Sequence, residues 1–137
     1  MEKLSDYSEN ETAPKILIAE DEELCIFTLK IMLKHKYNII FARNGKEAIE
    51  KYFKENPDIV LMDIVMPEVD GFEAFDEICR RRKSNDVKII AVTAQAMTTE
   101  KKQILNYGFD DYISKPIDDD ELNEKIKKHI RKQTYKK

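Results

Sequence analysis

Five short, unbroken apolar runs punctuate the chain. They are Ile16-Leu17-Ile18-Ala19, Ile39-Ile40-Phe41-Ala42, Ile59-Val60-Leu61-Met62, Val87-Lys88-Ile89-Ile90-Ala91-Val92, and a weaker Tyr112-Ile113. A continuous run predicts a strand buried on both faces, whereas alternation would predict one with a wet side. Between the runs the apolar positions recur with helical spacing. Leu24, Phe27, Thr28, Ile31 and Met32 predict the inner face of a first helix. Ala48, Ile49, Tyr52 and Phe53 predict that of a second, and Phe72, Phe75, Ile78 and Cys79 that of a third. A fourth helix, about Thr98 to Tyr107, is polar on most sides and anchored by Ile104, Leu105 and Tyr107. Leu122, Ile126 and Ile130 predict a fifth.

Local signals agree with this division. Asn44 stands where an N-cap of the second helix belongs, and Asp118 or Asp119 where a cap of the fifth belongs. Gly108 follows the fourth helix as a C-terminal stop would. The order is strand then helix, five times. Short connections between such units predict a parallel sheet with helices on both faces and right-handed crossovers. In that architecture the working site lies beyond the carboxyl ends of the strands.

Composition narrows the chemistry. The 137 residues are 42% apolar and 37% charged with mixed sign, which suits one globular domain rather than a disordered chain. Three glycines at 45, 71 and 108 make neither a dinucleotide fingerprint nor a Walker loop. Two distant cysteines form no metal pair or disulfide framework, which points to a reducing, cytoplasmic setting. No apolar run reaches the roughly 18–20 residues of a membrane span. The net charge of −3 is uneven. Residues 1–13 read as an acidic lead-in or linker, residues 14–131 as the domain, and 132–137 as a basic tail.

The strand ends carry the candidate chemistry. The first strand ends in Glu20-Asp21, the third in Asp63, the fourth in Thr93, and the fifth is followed by Ser114-Lys115-Pro116. Neighbouring strands lie about 4.8 Å apart, so adjacent first and third strands would bring these carboxylates together. Such carboxylates repel and suppress one another's ionisation. A hard divalent cation or a nearby ammonium relieves that repulsion. Mg²⁺ suits one or two carboxylates completed by water and phosphate, and Lys115 supplies an ammonium. Cation, ammonium and the Thr93 hydroxyl around one carboxylate suit phosphoryl transfer to Asp63, because both reactants are anionic.

The acidic pair of Ile18-Ala19-Glu20-Asp21, the stretch from Val60 through Asp63-Ile64-Val65-Met66-Pro67 to Asp70-Gly71, Ala91-Val92-Thr93-Ala94, and Asp111-Tyr112-Ile113-Ser114-Lys115-Pro116 occur in order, each at a strand end. Together they resemble the receiver domain of two-component response regulators over nearly all of residues 14–131. The resemblance implies an α/β fold, a (βα)5 doubly wound five-stranded parallel sheet with flavodoxin-like strand order 2-1-3-4-5. It implies that Asp63 accepts a phosphoryl group from a histidine kinase or a histidine phosphotransfer protein. Asp21, Asp63 and the backbone carbonyl of Val65 would hold Mg²⁺ (or Mn²⁺), with Glu20 acting through water. Thr93 would bind a phosphoryl oxygen, Lys115 would pair with the phosphoaspartate, and Tyr112 would be the aromatic switch residue. Helix four, strand five and helix five would face a downstream target, a second receiver or a weak homodimer. Val65 and Gln95 occupy positions that vary in the family.

Blander readings attach to the same residues singly. A strand-end aspartate is usually a cap, a lone threonine a cap, a lone lysine a solvated side chain. Tyr112 suits a half-buried edge aromatic, and Glu22 and Glu23 suit a helix N-terminus. Arg80-Arg81-Arg82-Lys83 suits a helix C-terminus, and the basic residues after 122 suit the outer face of an amphipathic helix rather than a direct nucleic-acid contact. His35 and His129 lack metal-spaced companions, and Cys25 and Cys79 suit core or boundary positions. Two other functions compete. A phosphohydrolase with an aspartyl nucleophile commonly carries a second Asp two positions on, where this chain has Val65. An unphosphorylated binding module of similar fold is the other. With no residues after Lys137 for a DNA-binding output domain, the expectation is a stand-alone regulator or a receiver cut from a longer hybrid sensor kinase or regulator.

Overall fold

The computed structural model describes residues 13–94 and 98–130. Expectations for the lead-in 1–12, for Gln95 and for the basic tail from Arg131 lie outside the described residues. Strands and helices alternate throughout: β1 (Lys15–Ala19), α1 (Glu23–Leu33), β2 (Asn38–Ala42), α2 (Gly45–Glu55), β3 (Ile59–Asp63), α3 (Gly71–Arg81), β4 (Lys88–Thr93), α4 (Thr98–Tyr107), β5 (Asp111–Ser114) and α5 (Asp119–His129). The five strands pair in parallel in the order β2-β1-β3-β4-β5.

The apolar runs become the middle of this sheet because each strand feeds two cores. Successive side chains of a strand point to opposite faces. Leu17, Val60, Met62, Ile89 and Ala91 face α2, α3 and α4, where they meet Ala48, Tyr52, Ala74, Phe75, Ile78 and Ile104. Ile16, Ile18, Ile59, Leu61, Ile90, Val92 and Ile113 face α1 and α5, where they meet Leu29, Leu33, Leu122 and Ile126. No helix of the described residues is long and apolar enough to cross a membrane.

The predicted face of α1 is corrected. Ile26, Leu29 and Leu33 are buried, whereas Leu24, Phe27 and Ile31 are 70%, 60% and 53% exposed. The segment ELCIFTLKIML is apolar nearly all round, so the spacing i, i+3, i+7 fits more than one face. Packing against the sheet selects between them. Likewise only Ile104 of the three expected α4 anchors is buried; Leu105 and Tyr107 are exposed. Cys79 of α3 is exposed as well, and Ala74 takes an inner position instead.

Caps form as the residues predict. Asn44 accepts from Glu47 N at 2.8 Å and Asp118 from Glu121 N at 2.9 Å. Asp70 and Glu73 form a reciprocal capping box that starts α3. Gly108 closes α4 with φ 131°, a conformation that side chains disfavour.

Candidate functional site

Register assembles the site. Ala19 of β1 pairs with Met62 of β3, so the next residues, Glu20-Asp21 and Asp63, emerge side by side. Asp63 in turn pairs with Val92, and Thr93 with Ser114, which brings Thr93 and then Lys115 to the same edge. The chain enters its site from four strands whose sequence separations span nearly the whole domain.

Glu20, Asp63 and Thr93 are buried at this edge, while Asp21 is exposed at its mouth. Carboxylate oxygens of Glu20, Asp21 and Asp63 lie within 4.8 Å of one another. Lys115 Nζ stands 3.1 Å from Asp63 Oδ2 and 3.1 Å from Glu20 Oε1. The backbone aids this convergence. Val65 N–H donates to Asp63 Oδ1 at 3.1 Å, Glu22 N–H to Glu20 Oε2 at 3.1 Å, and Lys115 N–H to the Thr93 carbonyl at 2.8 Å. The Lys115–Pro116 peptide is cis. Gly71 N–H donates to the Ile64 carbonyl at 2.9 Å, which folds the segment after Asp63 back on itself. A Cβ on Gly71 would sit 2.4 Å from the Asp63 carbonyl oxygen, so the loop closes only around a glycine.

Charge is unbalanced here. Burial first, then the charge and hydrogen bond of Glu20, push the Asp63 carboxyl up to about 6, against the opposing pull of Lys115. Lys115 is held firmly protonated: burial opposes its charge, but Asp63 and Glu20 outweigh that. One ammonium among three close carboxylates leaves net negative charge. Hard oxygen donors with residual negative charge, open on one side, fit a small divalent cation of the Mg²⁺ class.

Two residues gain a place that their spacing did not announce. Glu22 Oε1 lies 3.8 Å from Lys115 Nζ as well as forming the N-cap of α1. The Cys25 thiol abuts Glu20, and burial together with that carboxylate pushes it up to about 12. Its position four residues after Asp21, in the first turn of the helix leaving the site, is the signal that could have found it.

Family comparison settles what kind of domain carries this edge. The response regulator receiver domain matches residues 16–127. The chain belongs to that family. Response regulator ArlR of Staphylococcus saprophyticus is 37% identical over 124 residues, covering 89% of this chain and 54% of the relative. ArlR of Staphylococcus aureus is 36% identical over 124 residues, with 89% and 55% covered. This receiver domain thus spans about half the length of the curated relatives it matches. Among solved structures, a CheY-like receiver domain protein from Methanospirillum hungatei is similar with a TM-score of 0.75 and 31% identity, over 85% of this chain and 92% of that one. The receiver domain of a sensor histidine kinase from Pseudomonas aeruginosa, solved with a magnesium ion coordinated in its active-site cleft, has a TM-score of 0.78 and 29% identity, with 85% and 97% covered. As a receiver domain, the chain is a regulatory module of two-component signalling.

Within the receiver domain Tyr112 is half-buried on β5. Lys125 Nζ of α5 lies 4.5 Å from its ring centre and Lys101 Nζ of α4 lies 5.3 Å from it. His129, expected at a helix end, is there and contacts Asp111 Oδ2 at 2.8 Å.

Proposed function

We propose that this chain is the phosphoacceptor switch of a two-component phosphorelay. Asp63 would take a phosphoryl group from the phosphohistidine of a histidine kinase or histidine phosphotransfer protein. The observation that carries this reading is the placement of Asp63: buried at a strand end, its Oδ1 held by Val65 N–H and its Oδ2 facing Lys115 at 3.1 Å.

The chemistry follows from that placement. An Asp63 oxygen forms the new O–P bond as the P–N bond of the donor breaks, and the donor imidazole keeps the electron pair. The Val65 N–H fixes the carboxylate and leaves one oxygen turned to the cleft. Lys115 neutralises an equatorial phosphoryl oxygen, and Thr93, at the end of β4, offers its hydroxyl to another. Asp21, Asp63 and the Val65 carbonyl would hold Mg²⁺, or Mn²⁺ in its place, with Glu20 reached through water. When bound, the cation supplies charge neutralisation at the transferred group. The chain's catalysis is thus confined to its own phosphorylation and its reversal.

Input and output have separate surfaces. Leu24, Phe27 and Ile31 line the outward side of α1 next to the site. Leu24 also lines a cavity of about 450 Å³ with Lys115, Pro116 and Ile117, which supports contact with the phosphohistidine donor there. Tyr112, touching both α4 and α5, supports α4-β5-α5 as the face whose arrangement changes with phosphorylation.

The test is incubation with acetyl phosphate and Mg²⁺, read by intact mass. The expected result is a phosphoryl adduct on the wild type that Asp63→Asn lacks. Equal modification of that variant overturns the assignment.

A further inference from the structure

The end of the sheet opposite Asp63 holds a second, basic concavity. The last turn of α2 gives it Tyr52 and Phe53, the turn into β3 gives Asn56 and Pro57, and the stretch closing α3 gives Arg81, Arg82, Lys83 and Ser84, with Val87 at the back. The cavity is about 280 Å³. Three of the four residues of the basic run Arg80-Arg81-Arg82-Lys83, all but Arg80, are gathered onto one wall of a hollow rather than spread over a helix end.

Arg82 is the unusual member. Its guanidinium donates to the Tyr52 hydroxyl at 3.2 Å and to the Val87 carbonyl at 2.9 Å, both neutral oxygens. Among the described residues no carboxylate lies within ion-pairing distance of Arg82 or Lys83. Glu77, the nearby acid of α3, is engaged by Arg80 and, at 3.7 Å, by Arg81. Glu55, at the end of α2, faces Lys15 at 3.8 Å. Burial costs the Arg82 guanidinium hydration, and the Tyr52 hydrogen bond together with weaker attraction from groups such as Asp110 outweighs that cost, so the cation is held charged. It is so held without a carboxylate in contact, which leaves its remaining N–H donors for an anion.

An anion with an apolar body would complete the hollow. A guanidinium fork fixed in place is suited to phosphate oxygens, and Lys83 adds a mobile point charge. The opposite wall is apolar: Phe53, Pro57, Val87 and the ring of Tyr52. Arg81 lies over the Phe53 ring, with its guanidinium carbon 4.6 Å from the ring centre, and a planar guanidinium can also stack on a second ring. The volume is near the lower bound of about 300 Å³ for small-molecule sites, which limits the occupant to a compact molecule no larger than one nucleoside with one phosphate.

We infer that this hollow is a binding site for a nucleoside monophosphate, with the phosphate on Arg82 and Lys83 and the base against Arg81 and the apolar wall. It is independent of the phosphoacceptor reading, because the site lies at the far end of β3 from Asp63.

The experiment is titration of the ¹⁵N-labelled full chain, free of divalent cations, with AMP, GMP, CMP and UMP in turn, and with inorganic phosphate and adenosine alone. The expected result is saturable shifts of the Asn56, Ser84 and Val87 amides with at least one nucleotide, and binding weaker by about tenfold or more for phosphate or adenosine alone. Arg82→Gln is expected to weaken nucleotide binding by about tenfold, and the exposed Lys83→Glu by roughly fivefold. Lys83→Glu guards against misfolding of the Arg82 variant, and both are checked by thermal unfolding. Absence of shifts at these amides with all four nucleotides overturns the proposal. So does inorganic phosphate binding as tightly as the nucleotide, or unchanged affinity in a folded Lys83→Glu and Arg82→Gln pair.

Discussion

Lys115 Nζ sits 3.1 Å from Asp63 Oδ2, yet it does not bring the Asp63 carboxyl down to its ordinary range. Burial and the neighbouring Glu20 outweigh it, and the group is pushed up to about 6. The ammonium is shared: Glu20 stands 3.1 Å from it on one side and Glu22 3.8 Å on another. The site is thus a negatively charged receptor with a cation already at its rim, and ionised Asp63 is held there at a cost to folding.

That cost fixes a pH dependence. An acid whose folded pKa is raised contributes its full stability below its unfolded value and loses it as pH rises through the folded value. For Asp63 the window runs from about 4 to about 6. Without divalent cations, Asp63→Asn is therefore expected to stabilise the fold by about 1–3 kcal/mol above about pH 7. The advantage should vanish below about pH 4. Urea unfolding across pH in the presence of chelator checks this. Added Mg²⁺ should narrow the gap by stabilising the wild type.

The two faces of α1 should respond differently to substitution. Leu29→Ala removes a fully buried side chain and is expected to cost about 2–5 kcal/mol. Phe27→Ser changes an exposed one and should stay within about 0.5 kcal/mol. Phosphotransfer from a cognate donor should show the reverse order, slowed by Phe27→Ser and little changed in folded Leu29→Ala. Denaturant midpoints and transfer rates measure the two.

Gly71 should not tolerate a methyl group. A Cβ there would meet the Asp63 carbonyl oxygen at 2.4 Å and Ile64 Cα at 2.8 Å, both backbone atoms that yield poorly. Gly71→Ala is expected to destabilise by about 1–3 kcal/mol. It should also lower acetyl phosphate labelling, because the displaced segment carries the Val65 N–H that fixes Asp63. Labelling rates corrected for the folded fraction test this.

Cys25 should be a slow thiol. Burial, then Glu20, push it up to about 12, so little thiolate exists near neutrality. Alkylation by iodoacetamide at about pH 8 is expected to run at least about tenfold slower than for a free thiol. Asp63→Asn should change this little, whereas Glu20→Gln should speed it, because Glu20 is the carboxylate against the sulfur. Mass spectrometry of the Cys25 peptide gives the rates.

The sequence alone determined the number, type and order of the elements. Continuous apolar runs can be satisfied only by strands covered on both sides, and the residues bounding them, Asn44, Asp70, Gly108 and Asp118, act through local hydrogen bonds and backbone freedom. It also displayed the chemically distinctive strand ends, Glu20, Asp21, Asp63, Thr93 and Lys115, because acids and a lysine directly after apolar strands have no packing reason to be there. Tertiary structure decided what depends on neighbours distant in the chain. It chose the inner face of α1, since an almost wholly apolar helix has no unique hydrophobic stripe until a sheet is laid against it. It decided how one ammonium is divided among Glu20, Glu22 and Asp63, and therefore the proton affinity of Asp63. It also turned three residues of the basic run closing α3, Arg81, Arg82 and Lys83, into one wall of a hollow, because only the packing of α3 against α2 and β4 places Tyr52 and Val87 where they can fix Arg82.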